Sequence, residues 1–354
     1  MKPEELGFDQ WFRERLAAPL PSGLEIARVA AVNRDNYAIR NEAAEVPAEL
    51  TGRLLYGSRT GFDLPVVGDW VYVQYFNENT LGIIHDILPR KSLLKRKKAG
   101  KKIEYQLIAA NIDVAFIVQS LNLDFNLPRL ERYLIMSNDS NIKPVILLSK
   151  CDLISTKERD KKIAAVEKTN AGYEIIAFSN KTGKGLEAIR SSIEKGKTYC
   201  LLGSSGVGKT TLINKLLGKD AFTTEPIRRK DDKGRHVTAR RQLIILDQGG
   251  LIIDTPGMRE LGNIGVGNGL RSTFSDIASL AQHCRFKDCT HTEEPDCAVI
   301  KAAENGDLPT TRYQNYLKIR KESEFHEMSY LEKRKKDKKF GKMVKDTMKN
   351  REKA

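Results

Sequence analysis

Residues 203–210 read Gly-Ser-Ser-Gly-Val-Gly-Lys-Thr, directly after the apolar run Tyr199-Cys200-Leu201-Leu202. Behind them Leu212, Ile213, Leu216 and Leu217 recur at helical spacing. Strand, glycine loop, helix is the setting that G-x-x-x-x-G-K-[ST] requires. The cradle is Gly203, Ser204, Ser205, Gly206, Val207, Gly208, Lys209, Thr210 and Thr211. Its glycines let backbone N–H groups turn inward around phosphate oxygens, and the helix N-terminus adds its positive dipole end. Lys209 would reach the β- and γ-phosphates, and the Thr210 hydroxyl would bind Mg²⁺. The bland alternative, a glycine-rich turn that binds nothing, does not account for both flanking elements.

Three further motifs follow apolar strands. Asp254-Thr255-Pro256-Gly257 fits D-x-x-G after Leu251-Ile252-Ile253. An Asp there holds Mg²⁺ and the Gly257 N–H reaches a γ-phosphate. Ser149-Lys150-Cys151-Asp152 follows Val145-Ile146-Leu147-Leu148 and resembles the guanine-reading N-K-x-D, with Ser149 where Asn is usual. Asp152 would accept hydrogen bonds from the guanine N1–H and 2-amino group, which adenine does not offer. A buried carboxylate left unpaired is costly, so the choice discriminates. The Lys150 stem would cover the base face. Ser149 is expected to weaken affinity without changing base choice. Phe178-Ser179-Asn180-Lys181-Thr182-Gly183 resembles the S-A-K loop, so Ser179, Asn180 and Lys181 join the candidate site. By itself this last stretch is also an ordinary turn. The four segments occur in the order base, base, phosphate, Mg²⁺, whereas the usual GTPase order starts at the phosphate loop. A circularly permuted chain keeps the sheet and gives this order.

The chain has 354 residues, 40% hydrophobic and 30% charged, with formal net charge +14. That length suggests two or three domains of a soluble globular protein. No apolar run approaches the roughly 18 residues that span a bilayer. The N-terminal MKPEELGFDQWFRERL has no apolar signal core, so a cytoplasmic protein without membrane association is expected. Residues 333–354 hold eleven Lys/Arg against three Asp/Glu, and a second basic cluster spans residues 90–102. Such clusters suit a polyanion, most often nucleic acid, although a basic tail alone is equally a solvated, disordered segment.

Residues 1–21 form a short helical lead-in ending at Pro19 and Pro21. Residues 22–105 read as strands at 24–32, 49–56, 70–75 and 81–88, punctuated by glycines, which predicts a small β-barrel. An OB-fold is the leading form because such barrels bind nucleic acid, and an SH3-like barrel is the alternative. Residues 106–269 alternate strand and helix. They read as a doubly wound α/β P-loop domain, with a mobile basic loop at 219–241. Residues 270–332 are helical around a cysteine cluster, and 333–354 form a basic tail.

Cys284, Cys289 and Cys297 lie within fourteen residues, with His291 between them and His283 beside the first. Three thiolates and one imidazole suit tetrahedral Zn²⁺ and fill its shell, so one structural zinc is expected. A short polar segment needs such a staple. Buried or free cysteines with an unrelated histidine are the alternative.

Taken together, the chain resembles the circularly permuted ribosome-assembly GTPases of the RsgA (YjeQ) type. The resemblance rests on Ile108-Ala109-Ala110-Asn111-Ile112-Asp113, the motif order, Gly234-Arg235-His236-Val237-Thr238 and the cysteine cluster, and covers residues 22–320. It implies an N-terminal OB-fold barrel, a permuted GTPase domain and a C-terminal zinc-binding domain. It also implies a GTPase acting late in maturation of the small ribosomal subunit, with that subunit and its rRNA as partners. It favours His291 over His283 as the zinc ligand. It makes Thr238 a switch residue whose hydroxyl joins Thr210 and Asp254 at Mg²⁺. Met258 stands where many GTPases orient water with Gln, so intrinsic hydrolysis should be slow and His236 is the candidate substitute. The leading expectation is a monomeric, RNA-binding GTPase stimulated by the subunit. The alternative is a GTP-gated RNA-binding module in which hydrolysis is incidental. An unrelated P-loop ATPase or kinase would lack the Asp152 loop.

Overall fold

A computed structural model describes residues 1–16, 19–33, 36–58, 61–97, 105–122, 124–170, 172–222, 241–255 and 267–328, with the side chains of 326 and 327 excepted. The described residues fall into two compact units, divided between residues 262 and 263.

In the first unit a short turn at Pro3–Leu6 and helix α1 (Gln10–Arg13) lead into five barrel strands. These are β1 (Glu25–Val32), β2 (Tyr37–Arg40), β3 (Glu45–Leu50), β4 (Trp70–Phe76) and β5 (Leu81–Ile87). Their order is β1-β2-β3-β5-β4, and β4 closes back onto β1. The β3–β5 pair is parallel and the other pairs are antiparallel. This closed five-stranded order is that of an OB-fold and excludes the SH3-like alternative. Ala27, Val29, Ile39, Val46, Ala48, Val71, Val73 and Ile84 alternate inward and fill it.

Two expectations for the barrel need correction. Residues 49–56 are not one strand: β3 ends at Leu50 and helix α2 (Gly52–Gly57) follows. The Thr51 side chain accepts from Leu54 N at 3.3 Å, and this N-cap turns the apolar Leu54-Leu55-Tyr56 run helical. The four-residue β2, which the sequence does not announce, is too short to show periodicity.

A hairpin of β6 (Leu93–Lys97) and β7 (Tyr105–Ala110) joins the barrel to the α/β fold. There follow β8 (Val114–Ser120), α3 (Leu127–Asp139), β9 (Lys143–Ser149), α4 (Thr156–Thr169), β10 (Glu174–Ala177) and α5 (Leu186–Ser191). The series continues with β11 (Thr198–Leu202), α6 (Lys209–Leu217), β12 (Arg241–Ile245) and β13 (Leu251–Asp254). The spatial order is β10-β9-β8-β11-β13-β12, parallel except for β12. The central strands are buried on both faces, which explains their unbroken apolar runs. Successive connections leave in opposite directions from β8 and β11, so the crevice at their C-terminal ends is the switch point where ligands bind in such sheets.

The sheet does not stop at β12. Its first residues pair with the end of barrel strand β1, Ala31 opposite Gln242 and Val32 opposite Arg241. Arg28, fully buried on β1, makes a second tie between the barrel and its neighbours. Its guanidinium donates to the carbonyls of Leu6, Gly68 (3.2 Å) and Asn111 (3.1 Å). Burial pulls the pKa of this cation down to about 10, and the nearest carboxylates oppose the shift.

The second unit holds α7 (Asn268–Thr273), α8 (Ser275–Ala281), α9 (Ala298–Asn305) and α10 (Thr310–Glu327). Buried Arg312 clamps α10 onto Asp276 with two hydrogen bonds of 2.7 and 2.8 Å, and onto the Thr273 carbonyl at 2.9 Å. Among the described residues no helix is long and apolar enough to cross a membrane.

Candidate nucleotide site and metal centre

The phosphate loop leaves β11 at Gly203, whose φ is +145°. A Cβ there would lie 2.3 Å from the Val118 carbonyl oxygen, so only glycine lets the loop turn over β8. Helix α6 begins at Lys209, capped by Gly208 with φ +99°. Lys209 Nζ folds across the loop mouth and donates to the Gly203 and Ser204 carbonyls at 2.8 and 2.6 Å. Val207 is buried and anchors the loop, while Ser205, Gly206 and Thr210 are exposed and Thr211 is half-buried.

The base-reading candidates come to the same crevice. Ser149 is fully buried, and its hydroxyl donates to the Val207 carbonyl at 2.7 Å. Asn180 Nδ2 donates to the neighbouring Gly208 carbonyl at 3.0 Å. Ser149, expected to be a weaker replacement for Asn, therefore still ties its loop to the phosphate loop. Lys150 takes a left-handed conformation, φ 59°, which leaves Cys151 buried and Asp152 exposed at the crevice. Burial raises the Cys151 thiol above its ordinary range. The Ser179 hydroxyl accepts from the N–H groups of Lys181 and Thr182 at 3.2 and 3.1 Å, which shapes the second loop. Cys151 N donates to Phe178 O at 3.2 Å and joins the two base-reading loops.

Asp254 ends β13, the strand that pairs directly with β11 and so lies beside the phosphate loop. Thr255 fixes it there, donating to the Leu201 carbonyl at 2.9 Å. Burial raises the Asp254 carboxyl, and the Lys209 ammonium partly offsets this. Thr238, His236, Gly257 and Met258 lie outside the described residues, as do most of loop 219–241, residues 98–104 of the basic cluster and the tail 333–354.

One contributor carries no motif in the sequence. Asp124 accepts from the Ser204 hydroxyl at 2.8 Å and from Arg129 Nη1 at 2.9 and 3.0 Å. It braces the phosphate loop from the loop after β8. The available signal was positional, since that loop leaves the C-terminal end of the strand beside β11.

In the second unit Cys284, Cys289, His291 and Cys297 bring one ligand atom each to within 4.8 Å of one another. The Cys284 and Cys297 sulfurs are 3.7 Å apart, and His291 Nδ1 is 3.6 and 3.4 Å from them. Tetrahedral bonds of about 2.3 Å to sulfur and 2.0–2.1 Å to nitrogen give edges of roughly 3.6–3.8 Å. The donor set therefore fits a tetrahedral metal ion. Burial works against ionisation of Cys284, but the N–H groups of Val299 and Ala298 at the start of α9 and the neighbouring sulfurs outweigh it. Burial, and then the charge of Arg320, lower the His291 imidazole, which keeps it neutral as a ligand must be. Tyr313 donates to the His291 carbonyl at 2.6 Å, and Arg320 donates to that of Thr290 at 2.9 Å, so α10 holds the loop. His283 is not part of this cluster: its Nδ1 lies 3.2 Å from Ser279 O, on the preceding helix α8.

The sequence profile described as RsgA GTPase matches residues 87–264. The chain is 44% identical over 304 residues to Small ribosomal subunit biogenesis GTPase RsgA 2 of Lactiplantibacillus plantarum, covering 86% of this chain and 85% of that one. It is 39% identical over 349 residues to the protein of the same name from Vibrio vulnificus, covering 99% and 96%. The fold resembles YjeQ from Thermotoga maritima with a TM-score of 0.63, 26% identity and coverage of 84% and 97%. It also resembles YloQ, described as a circularly permuted GTPase, with a TM-score of 0.62, coverage of 89% and 100% and 24% identity, a likeness of fold alone. The chain belongs to the RsgA GTPase family and is a GTP-hydrolysing enzyme.

Proposed function

We propose that this GTPase binds the small ribosomal subunit through its rRNA, acts late in that subunit's maturation, and hydrolyses GTP faster when bound to it. The names of its relatives support the ribosomal role. The OB-type barrel and the +14 charge support an RNA partner. The observation that carries the nucleotide reading is the pair of ties from Ser149 and Asn180 to consecutive phosphate-loop carbonyls. They hold a base-reading surface and a phosphate cradle at one crevice, as a nucleotide requires.

In this reading Asp152 accepts from the guanine edge, Lys150 covers the base, and Ser179, Asn180 and Lys181 line the O6 side. The loop 203–211 holds the phosphates, and Lys209 turns from the Gly203 and Ser204 carbonyls to the β- and γ-phosphates. Thr210, Thr238 and Asp254 are the residues that would hold Mg²⁺, which neutralises charge on the phosphates when bound. The raised Asp254 carboxyl suits a site completed by a cation. Gly257 would meet the γ-phosphate, and His236 would position water where Met258 does not. The metal of the Cys₃His cluster is Zn²⁺, in a structural role. Functionally the chain divides at 22–105, 106–269 and 270–332, with a lead-in at 1–21 and a basic tail at 333–354. In this reading the protein acts as a monomer in the cytoplasm.

The test is GTP turnover measured alone and with small subunits, large subunits or free RNA at matched salt. Selective acceleration by small subunits is expected. Equal turnover in all four would leave the alternative, a GTP-gated RNA binder with incidental hydrolysis.

A further inference from the structure

We infer that Asn180 is a positioning residue that sets guanine-nucleotide affinity by tethering the base-reading loop to the phosphate loop, sharing this task with Ser149. The inference rests on the guanine-nucleotide reading of the site given above. An Asn at position 149 would offer two amide donors, whereas Ser149 offers one hydroxyl, and that one is spent on the Val207 carbonyl at 2.7 Å. The next carbonyl, Gly208, is reached from the other base-reading loop by Asn180 Nδ2 at 3.0 Å.

These two carbonyls are not arbitrary acceptors. A peptide unit is planar, so pinning the Val207 oxygen also orients the Gly208 N–H, and pinning the Gly208 oxygen orients the Lys209 N–H. Both N–H groups belong to the cradle that meets phosphate. The fit is close: a Cβ on residue 208 would lie 2.8 Å from Asn180 Nδ2.

Two details separate this role from ordinary structural support. The Gly208 carbonyl already accepts from Leu212 N at 2.9 Å within α6, so it does not need Asn180 for its own satisfaction. Asn180 Oδ1 is buried and has no hydrogen-bond donor among the described residues. An unmet buried acceptor costs free energy, and reversing the amide would set Oδ1 against the Gly208 carbonyl. In the empty protein the side chain gains a tether and pays an orphaned acceptor, so alanine there is no worse. Its net benefit falls on the state in which the two loops must grip one ligand.

The experiment uses full-length, nucleotide-free protein titrated with fluorescent GDP and ADP analogues. Preference of the wild type for the GDP analogue tests the underlying reading. If the wild type binds both alike, that reading falls whatever the variants do. Asn180→Ala is expected to bind the GDP analogue about three- to tenfold more weakly, the effect of one neutral hydrogen bond. Its KM for GTP should rise by a similar factor while kcat moves less. The thermal midpoint of the empty variant should stay level or rise. Asn180→Asp, which sets an acceptor against the Gly208 carbonyl, should lose more than alanine does. Unchanged GDP affinity in Asn180→Ala would overturn the inference. So would an affinity loss matched by a lower midpoint of the empty protein, since that is the signature of a structural role.

Discussion

Ala31 of the barrel and Gln242 of the nucleotide-binding fold lie opposite one another in a single antiparallel ladder. Strand β12, which carries Gln242, follows loop 219–241 and pairs on its other side with β13, the strand ending in Asp254. The barrel is thus one strand away from the site that would bind Mg²⁺. Loading with a non-hydrolysable GTP analogue should slow amide hydrogen exchange at Ala31 and Val32 relative to the GDP form, because order in β12 is shared through the ladder. Mass-spectrometric exchange checks this, and identical rates in the two forms would remove the coupling.

Base choice should follow Asp152. Asp152→Asn replaces an acceptor-only group by a mixed one, and should weaken GTP binding by about 3 kcal/mol, roughly a hundredfold, while improving xanthosine triphosphate. Competition binding with the two triphosphates reads the exchange, and an unchanged preference for GTP would place the base elsewhere.

Lys209→Ala should lower kcat by roughly 10²–10³-fold, the usual effect of removing one group that stabilises transition-state charge. Since Lys209 Nζ also closes the loop onto Gly203 and Ser204, nucleotide affinity should fall as well. Single-turnover kinetics separates the two losses, and normal turnover would sink the assignment.

Metal removal should act on the second unit. Freshly purified protein is expected to contain one zinc per chain, and Cys289→Ser should lower that content. Strong chelation should destabilise residues 267–328, whose packing leans on the loop that α10 grips through Tyr313 and Arg320. Nucleotide binding in the first unit gives a control. Protein free of zinc but with an unchanged melting profile would refute the structural role.

The parts of this fold legible in the sequence are those with local causes. Each nucleotide motif sits at the end of an apolar strand, so its neighbours announce it, and the Cys₃His spacing reports a ligand set within fourteen residues. The order of the barrel strands is not legible in the sequence, because strand pairing is a long-range property. What could not be read depends on partners far apart in the chain. Asp124 meets Ser204 eighty residues away, and nothing around Asp124 marks it as part of a phosphate cradle. The β1–β12 ladder involves strand ends with no distinctive pattern. Helix α2 departs from the strand that the apolar run Leu54-Leu55-Tyr56 suggests, because the deciding feature is one hydroxyl on Thr51.

Arg28 has a consequence for how the chain is made. Its guanidinium needs the carbonyl of Asn111, 83 residues downstream. At roughly 5–20 residues per second, synthesis delivers that acceptor some 4–17 s after Arg28 itself. During that interval the growing polypeptide carries a cation that its own barrel cannot bury without an unmet donor. The hydrogen-bond set of Arg28 is complete only once Asn111 has emerged, so this one corner of the barrel is finished by residues of the following fold.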